Sequence, residues 1–333
     1  MHATPARQRL TLIAGNTSNR LAVFARDVNK GLTASPKQLP CCYFYDGEGA
    51  LLFEEICAVP EYYLTRAERE ILEARADELI SRFSVPPMLV ELGSGSAAKT
   101  RLLIDTFLKR HGSLRYVPID ICRVMLEQSS LQLLEEYPQL EIRAIAAEYH
   151  EGLRHLQGLG AGPRLILWLG SNVGNFHRPE AVRFLHEVRD TMAAGDALLL
   201  GIDLRKERAV LERAYDDSQG VTADFNLNLL DRINRELGGH FDRDAFRHRA
   251  IYNDELGRIE MYLVSKIDQQ VPIDNLDLRV ALSAGEAIHT ENSYKYSFAE
   301  IESLAAASGF QITSQWLDER RQFSVALLAL RES

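Results

Sequence analysis

The stretch Val90-Glu-Leu-Gly-Ser-Gly-Ser-Ala-Ala-Lys-Thr100 constrains the fold of this chain more than any other. An apolar run, 88–92, enters two glycines spaced two apart, and residues 99–108 beyond them suit a helix. The pattern predicts a strand, a tight turn and a helix N-terminus. Without a Cβ at Gly93 and Gly95, the backbone can approach a ligand closely, and the first turn of the helix presents N–H groups that lack intrahelical partners.

Two cofactor classes use such a turn. A dinucleotide site follows G-x-G-x-x-G, and Ala98 at the third glycine position is compatible with it. Glu91 is the stronger discriminator, because a carboxylate just before the first glycine repels a pyrophosphate and suits a cationic or amine-bearing ligand. Glu-x-Gly-x-Gly is similar to the first motif of S-adenosylmethionine-dependent methyltransferases. A short glycine motif alone is also compatible with a structural turn.

The following segments extend the argument. Strands are predicted at 115–119, 140–146, 164–169 and 197–202, alternating with helical stretches, which is the rhythm of an open α/β sheet. Asp120 ends the second strand about 27 residues past the first glycine, where an acid binds a ribose diol, although it also suits a helix N-cap. Glu148-Tyr149 stands at the end of the third strand, where an acid and an aromatic can flank an adenine. Gly170-Ser-Asn-Val-Gly-Asn175 follows the fourth strand, either as a plain turn or as a small-residue approach for a substrate whose carboxylate an Asn amide can bind.

At 333 residues, 46% hydrophobic and 26% charged, the chain is large enough for two domains or for one domain with a substantial insertion. Its net charge of −9 argues against nucleic-acid and anionic-membrane partners. No apolar run approaches about 18 residues and no secretory segment opens the chain, so a soluble, cytoplasmic protein is expected; a monomer is expected, though no sequence feature sets the oligomeric state. Cys41-Cys42, Cys57 and Cys122 show no zinc spacing, and the nine histidines form no ligand motif. No metal is expected.

Residues up to about 24 look polar and loosely docked. The Tyr-, Phe- and Pro-rich segment from Arg26 to Arg66 reads either as a tyrosine-lined lid or as aromatic core, and a helix follows at 67–81. Beyond about 205 the pattern changes to two helical stretches, 206–216 and 221–236, and then to strand-like segments at 246–252, 258–266 and 276–282. A helix at 298–308 and two closing strands, 311–317 and 322–330, return to the first domain. The expected organisation is a cofactor domain of 70–204 and 296–333 with a substrate domain of 1–69 and 205–295.

From Arg26 to Leu330 the sequence resembles the histidine Nα-methyltransferases of ergothioneine biosynthesis. The resemblance rests on Lys37-Gln-Leu-Pro40, Tyr43-Phe-Tyr-Asp46, Leu52-Phe53, Pro60-Glu-Tyr-Tyr63, Glu91-Leu-Gly-Ser-Gly95, Lys99-Thr-Arg101, Leu169-Gly-Ser171, Gly174-Asn175, Arg213-Ala-Tyr-Asp-Asp217, Gly220-Val-Thr222, Ile259-Glu-Met261, and Glu291 with Ser293. It implies an α/β, Rossmann-like, seven-stranded class I methyltransferase fold with a second, discontinuous α+β domain. It also implies S-adenosylmethionine as cofactor and conversion of L-histidine to its trimethyl betaine, hercynine.

The resemblance further implies roles. Glu91, Gly93, Ser94, Gly95, Lys99, Asp120, Glu148 and Tyr149 would hold the cofactor. Asn175 and Tyr215 would grip the substrate carboxylate, and Tyr45 would stand beside the α-amino group as proton acceptor, in competition with water. Phe53 and Tyr62 would shape the pocket, Gly170 would leave room near the methyl donor, and Met261, Glu291 and Ser293 would read the imidazole. Ala147-Glu-Tyr149 departs from the family's usual Gly-Asp-Phe. Alternatives are a methyltransferase of the same fold for another aromatic amino acid, such as tryptophan, and a non-catalytic ligand-binding module.

Overall fold

A computed structural model of the chain describes residues 6–15, 20–156, 158–160 and 162–331. The chain divides into two compact units, one of Met1–Gly15, Leu64–Arg205 and Lys295–Ser333, the other of Asn16–Tyr63 and Lys206–Tyr294. In chain order the strands are β1 (Leu10–Ala14), β2 (Lys37–Gln38), β3 (Met88–Leu92), β4 (Leu114–Asp120), β5 (Leu140–Ala146), β6 (Arg164–Trp168) and β7 (Ala197–Asp203). They continue as β8 (Phe246–Asn253), β9 (Arg258–Ser265), β10 (Gln269–Ile273), β11 (Leu278–Leu282), β12 (Ala287–Tyr294), β13 (Phe310–Leu317) and β14 (Phe323–Leu330). The helices are α1 (Arg20–Thr33), α2 (Gly47–Ala58), α3 (Leu64–Ile80), α4 (Thr100–His111), α5 (Arg123–Glu136), α6 (Tyr149–His155), α7 (Arg178–Asp190), α8 (Arg208–Tyr215), α9 (Val221–Leu237) and α10 (Phe298–Ala307).

The first unit is a sheet in the order β1-β5-β4-β3-β6-β7-β14-β13. The strands from β1 to β7 in this order run parallel, whereas β14 is antiparallel to both β7 and β13. The seven-stranded class I arrangement is therefore present, with the antiparallel pair closing it and β1 as an additional edge. All five residues of β3 are buried, as expected of a parallel strand covered on both faces. The apolar character of the four residues other than Glu91 made this strand legible.

The first residues are a correction. Leu10–Ala14, expected to dock loosely with the substrate domain, pairs residue for residue with Ile142–Ala146. Arg9 secures it by donating to the Tyr137 and Leu140 carbonyls, at 2.8 Å each, beyond the end of α5. An open parallel edge is satisfied by any short apolar segment that can reach it, and one five-residue segment is too brief to show this in sequence. Residues 64–69 likewise belong to the large-sheet unit, as the start of α3.

The second unit holds a sheet in the order β2-β12-β9-β8 and the hairpin β10–β11. β9 pairs antiparallel with β8 and β12, and β12 carries an irregularity between His289 and Glu291. β10 was missed in sequence because Pro272 and two glutamines obscure its pattern; a hairpin edge tolerates them. α9 packs on α2, and Asp46 ties the two together. It caps α2 by accepting from Gly49 N–H at 2.7 Å and also accepts from Asn228 Nδ2 at 2.9 Å and from Arg235. Burial opposes its charge, but these donors outweigh burial and hold the carboxyl below its usual range. A side chain at Gly49 would lie 1.8 Å from the Phe44 carbonyl oxygen, which accounts for glycine there.

Candidate functional site

The large-sheet unit gathers the cofactor candidates at the carboxyl ends of β3, β4, β5 and β6. Gly93 has φ +76°, and a Cβ on it would stand 2.6 Å from the Tyr149 hydroxyl and 3.1 Å from Asn172 Nδ2. Only a bare backbone fits here. Gly95 N–H donates to Asp120 Oδ2 at 2.8 Å, and Cys122 N–H to Asp120 Oδ1 at 2.8 Å. Asp120 therefore braces the turn from below; its burial raises the carboxyl, with the backbone donors acting against that rise. A carboxylate has lone pairs beyond these two bonds, so the brace is compatible with a diol ligand. Ser94 is buried within the same turn.

Glu91 turns inward rather than toward the turn's open side. It is 3% exposed, accepting from Thr100 Oγ1 at 2.6 Å and from the Tyr116 hydroxyl. Burial pushes its carboxyl up to about 7 against the pull of these two donors and of Lys99. Glu148 is exposed at the N-terminus of α6, and the Tyr149 ring lies among Trp168, Phe176 and Phe184, with centroids 6.2, 6.4 and 5.6 Å away.

Gly170 opens the turn after β6 with φ +72°, and Ser171, also left-handed, accepts from Asp203 N–H at 2.9 Å. Asn175 closes this turn. Two residues that sequence reasoning passed over stand here. Asn172 donates to the Leu169 carbonyl at 2.9 Å, and Glu68, reaching in from α3, pairs with Lys99 and accepts Gly170 N–H at 2.8 Å. In a helix rich in Glu and Arg, nothing marks one Glu as buried.

The small-sheet unit brings together the remaining candidates. Tyr45 meets Phe53 edge-on at 5.6 Å, Phe53 meets Tyr62 at 6.3 Å, and Tyr62 meets Tyr215 at 6.0 Å. Phe225, on α9, closes the group against Tyr45 at 5.7 Å and Phe53 at 6.0 Å, and only the buried stripe of that helix pointed to it. Glu291 lies opposite Met261, and Ser293 opposite Ile259, so the alternation along β12 puts Glu291 and Ser293 on one face. Tyr215 and Ser293 share a hydroxyl hydrogen bond of 2.8 Å. Burial, then Tyr215, Cys57, Tyr45 and Glu291, push the Tyr62 phenol well up, so it remains a hydrogen-bond donor. Burial and then Glu291 raise the Cys41 thiol likewise.

Tyr215 is held from behind. His248 Nε2 stands 2.8 Å from the Tyr215 carbonyl and must donate to it; Nδ1 then accepts from Asn226 Nδ2 at 2.9 Å. Burial lowers the His248 pKa, which keeps this neutral tautomer. Asp217 accepts N–H bonds from Gln219, Val221 and Thr222 at 3.1, 3.0 and 2.7 Å, fixing the turn from Tyr215 into α9. These bonds join Arg213–Asp217 to Gly220–Thr222, two segments that stand apart in the sequence. Among the described residues, no cluster of His, Cys, Asp and Glu could hold a metal ion.

Residues 24–330 match the model of a family described as histidine-specific, S-adenosylmethionine-dependent methyltransferases. The chain is 42% identical over 302 residues to histidine N-alpha-methyltransferase of Mycolicibacterium smegmatis, covering 91% of this chain and 93% of that protein. It is 43% identical over 316 residues to the protein of the same name from Mycobacterium tuberculosis, covering 95% and 97%. Ergothioneine biosynthesis protein 1 of Neurospora crassa is 31% identical over 287 residues, 84% of this chain and 32% of that longer protein.

Proposed function

This chain belongs to the histidine-specific, S-adenosylmethionine-dependent methyltransferase family, and we propose that the turn after β3 holds the methyl donor while the aromatic cluster around Glu291 reads histidine. It is a histidine Nα-methyltransferase, converting L-histidine to hercynine for ergothioneine biosynthesis. The observation that carries the substrate reading is the common face of β12, where Glu291 lies opposite Met261 while Ser293 bonds to Tyr215.

The residues fit the donor. Gly93 and Gly95 keep the backbone bare, Ser94 fills the turn, Lys99 offers a cation to a carboxylate, and Asp120 offers lone pairs to a ribose. Glu148 and Tyr149 flank the adenine position. Glu91, bonded inward to Thr100 and Tyr116, acts by holding the turn. Bound S-adenosylmethionine supplies an electrophilic methyl group on a sulfonium.

The chain's own part is alignment, exclusion of water and removal of a proton, because an ammonium has no lone pair for attack. Tyr45 stands beside the amine as proton acceptor, directly or through water. Tyr215, held by Ser293 and His248, offers an O–H to a carboxylate, and Asn175, at the end of the β6 turn, carries an amide N–H suited to one. Phe53 and Tyr62 wall the pocket, and Gly170 leaves room for the methyl. Glu291 accepts an imidazole N–H beside Met261, and Ser293 completes the ring's hydrogen bonds. We propose a monomer; no helix among the described residues is long and apolar enough to cross a membrane, and we place the protein in the cytoplasm.

Kinetics of Glu291→Ala test the reading. Removing the carboxylate forfeits a charge-assisted bond of about 1.5–3 kcal/mol, roughly a ten- to hundredfold fall in kcat/KM for histidine. Any turnover of tryptophan should fall less. An equal, small change for both would remove Glu291 from the site.

A further inference from the structure

Glu68 is wholly buried, at 0% exposure, in a helix whose other acids are mostly exposed. Both of its oxygens face Gly170 N–H, at 2.8 and 2.9 Å, and Oε2 also pairs with the Lys99 ammonium. The fold leaves space for it: a Cβ on Gly201 would lie 2.0 Å from Glu68 Oε1. The Lys99 ammonium is 3.5 Å from where a Gly170 Cβ would stand, so cation, carboxylate and turn backbone form one cluster at the end of β6. Lys99 and Glu68 both bear on the Glu91 carboxyl, in opposite senses, so the cluster is within electrostatic reach of the β3 turn.

A buried carboxylate is costly unless something pairs with it. Gly170 N–H alone would be served by an uncharged acceptor, so the charge itself needs a reason, and Lys99 supplies it. Unquenched, that ammonium would repel a second cation in the same crevice. The methyl donor carries one positive charge more than its demethylated product, and the difference sits on the sulfur.

We propose that Glu68 is a positioning residue that holds Lys99 at the β6 turn and neutralises it, so that the crevice favours the cationic methyl donor over its demethylated product. The proposal rests on the reading that the donor binds at the β3 and β6 turns. The amino-acid carboxylate that Lys99 faces is shared by donor and product, so that contact does not separate them. Glu68 thereby sets product inhibition without touching either reacting atom.

Calorimetric titration of the purified chain decides it, with S-adenosylmethionine, S-adenosylhomocysteine and an analogue bearing a protonated amine in place of the sulfonium. Glu68→Gln keeps an acceptor for Gly170 N–H and leaves Lys99 unquenched. We expect about a tenfold loss of affinity for the donor and the cationic analogue, against less than about threefold for S-adenosylhomocysteine. Adding Lys99→Met should bring the donor-to-product ratio back toward that of the unmodified chain. Equal weakening of all three ligands, with no recovery in the double variant, would reduce Glu68 to a scaffold role. If Glu68→Gln does not fold, Lys99→Met alone must shift the ratio toward the donor, and an unchanged ratio overturns the proposal. Failure of the unmodified chain to bind any of the three would overturn the underlying cofactor reading instead.

Discussion

Around the β3 turn the large-sheet unit buries ionisable groups and pairs them: Glu91 with Thr100 and Tyr116, Asp120 with backbone N–H groups, Glu68 with Lys99. The small-sheet cluster is instead neutral and aromatic, built from Tyr45, Phe53, Tyr62, Tyr215 and Phe225, with Glu291 as its acid. The contrast follows the ligands' chemistry. A crevice for a cation with a sugar and a carboxylate needs fixed charges whose desolvation is offset in advance, whereas an aromatic amino acid needs rings, hydroxyls and one acceptor. Electrostatic substitutions should therefore damage the first unit most, and loss of a neutral hydroxyl should cost the second little.

The largest stability effect should come from Lys295, which is fully buried with Asp203, 2.8 Å away, in the large-sheet unit. Lys295→Met strands a buried carboxylate and should destabilise the chain by about 3–5 kcal/mol in urea melts, with much of the loss recovered in Lys295→Met/Asp203→Leu. A loss no greater in the single variant than in the double would break the contrast, since the charge would then not be the cause.

Glu91 gives an intermediate effect with a defined pH sense. With its carboxyl raised to about 7, the folded chain holds a proton that the unfolded chain has released in the window from the ordinary carboxyl range up to about 7. Stability therefore falls as pH rises through that window. Compared with Glu91→Gln, which cannot titrate, the unmodified chain should lose about 2 kcal/mol between about pH 5 and pH 8. Parallel stability curves for the two proteins would show that burial does not govern this carboxyl. Glu300 provides the opposite sign: burial works against its charge, but Arg205, the Ser297 N–H and Arg178 hold it down at about 2, so its contribution is present above the ordinary carboxyl range and is lost as pH falls toward 2.

The smallest effect should be Tyr215→Phe. It removes the 2.8 Å bond to Ser293 while keeping the ring against Tyr62, so stability should fall by about 1 kcal/mol. If Tyr215 also grips the carboxylate, KM for histidine should rise by more than that structural loss explains. An unchanged KM would confine the hydroxyl to packing.

How much could be read in advance differs between the units for a physical reason. The β3 turn is contiguous, with strand, glycines, Lys99 and helix within a dozen residues, and Asp120 sits at the end of the adjacent strand, so local pattern and motif spacing reveal it. The aromatic cluster draws on α2, α8, α9 and β12, and only the resemblance to a known family joined those segments beforehand. Phe225, Asn172 and Glu68 escaped because each looks ordinary in its own helix or turn. His248 escaped because its partner is a backbone carbonyl, which leaves no mark on composition.

Methyl transfer to histidine was an expectation carried by the family resemblance; by itself the sequence determined the alternation of apolar strands and helices, the closing pair of strands, and the bare turn at Gly93 and Gly95. These are consequences of local periodicity, backbone sterics and motif order. Only the tertiary structure decided that Leu10–Ala14 would extend the sheet, that Glu91 would turn inward, that His248 would hold Tyr215, and that Glu68 would be buried against Lys99 and Gly170. Each depends on which distant group satisfies a strand edge, a lone pair or a charge once water has gone, and that is settled by packing rather than by neighbours in the chain.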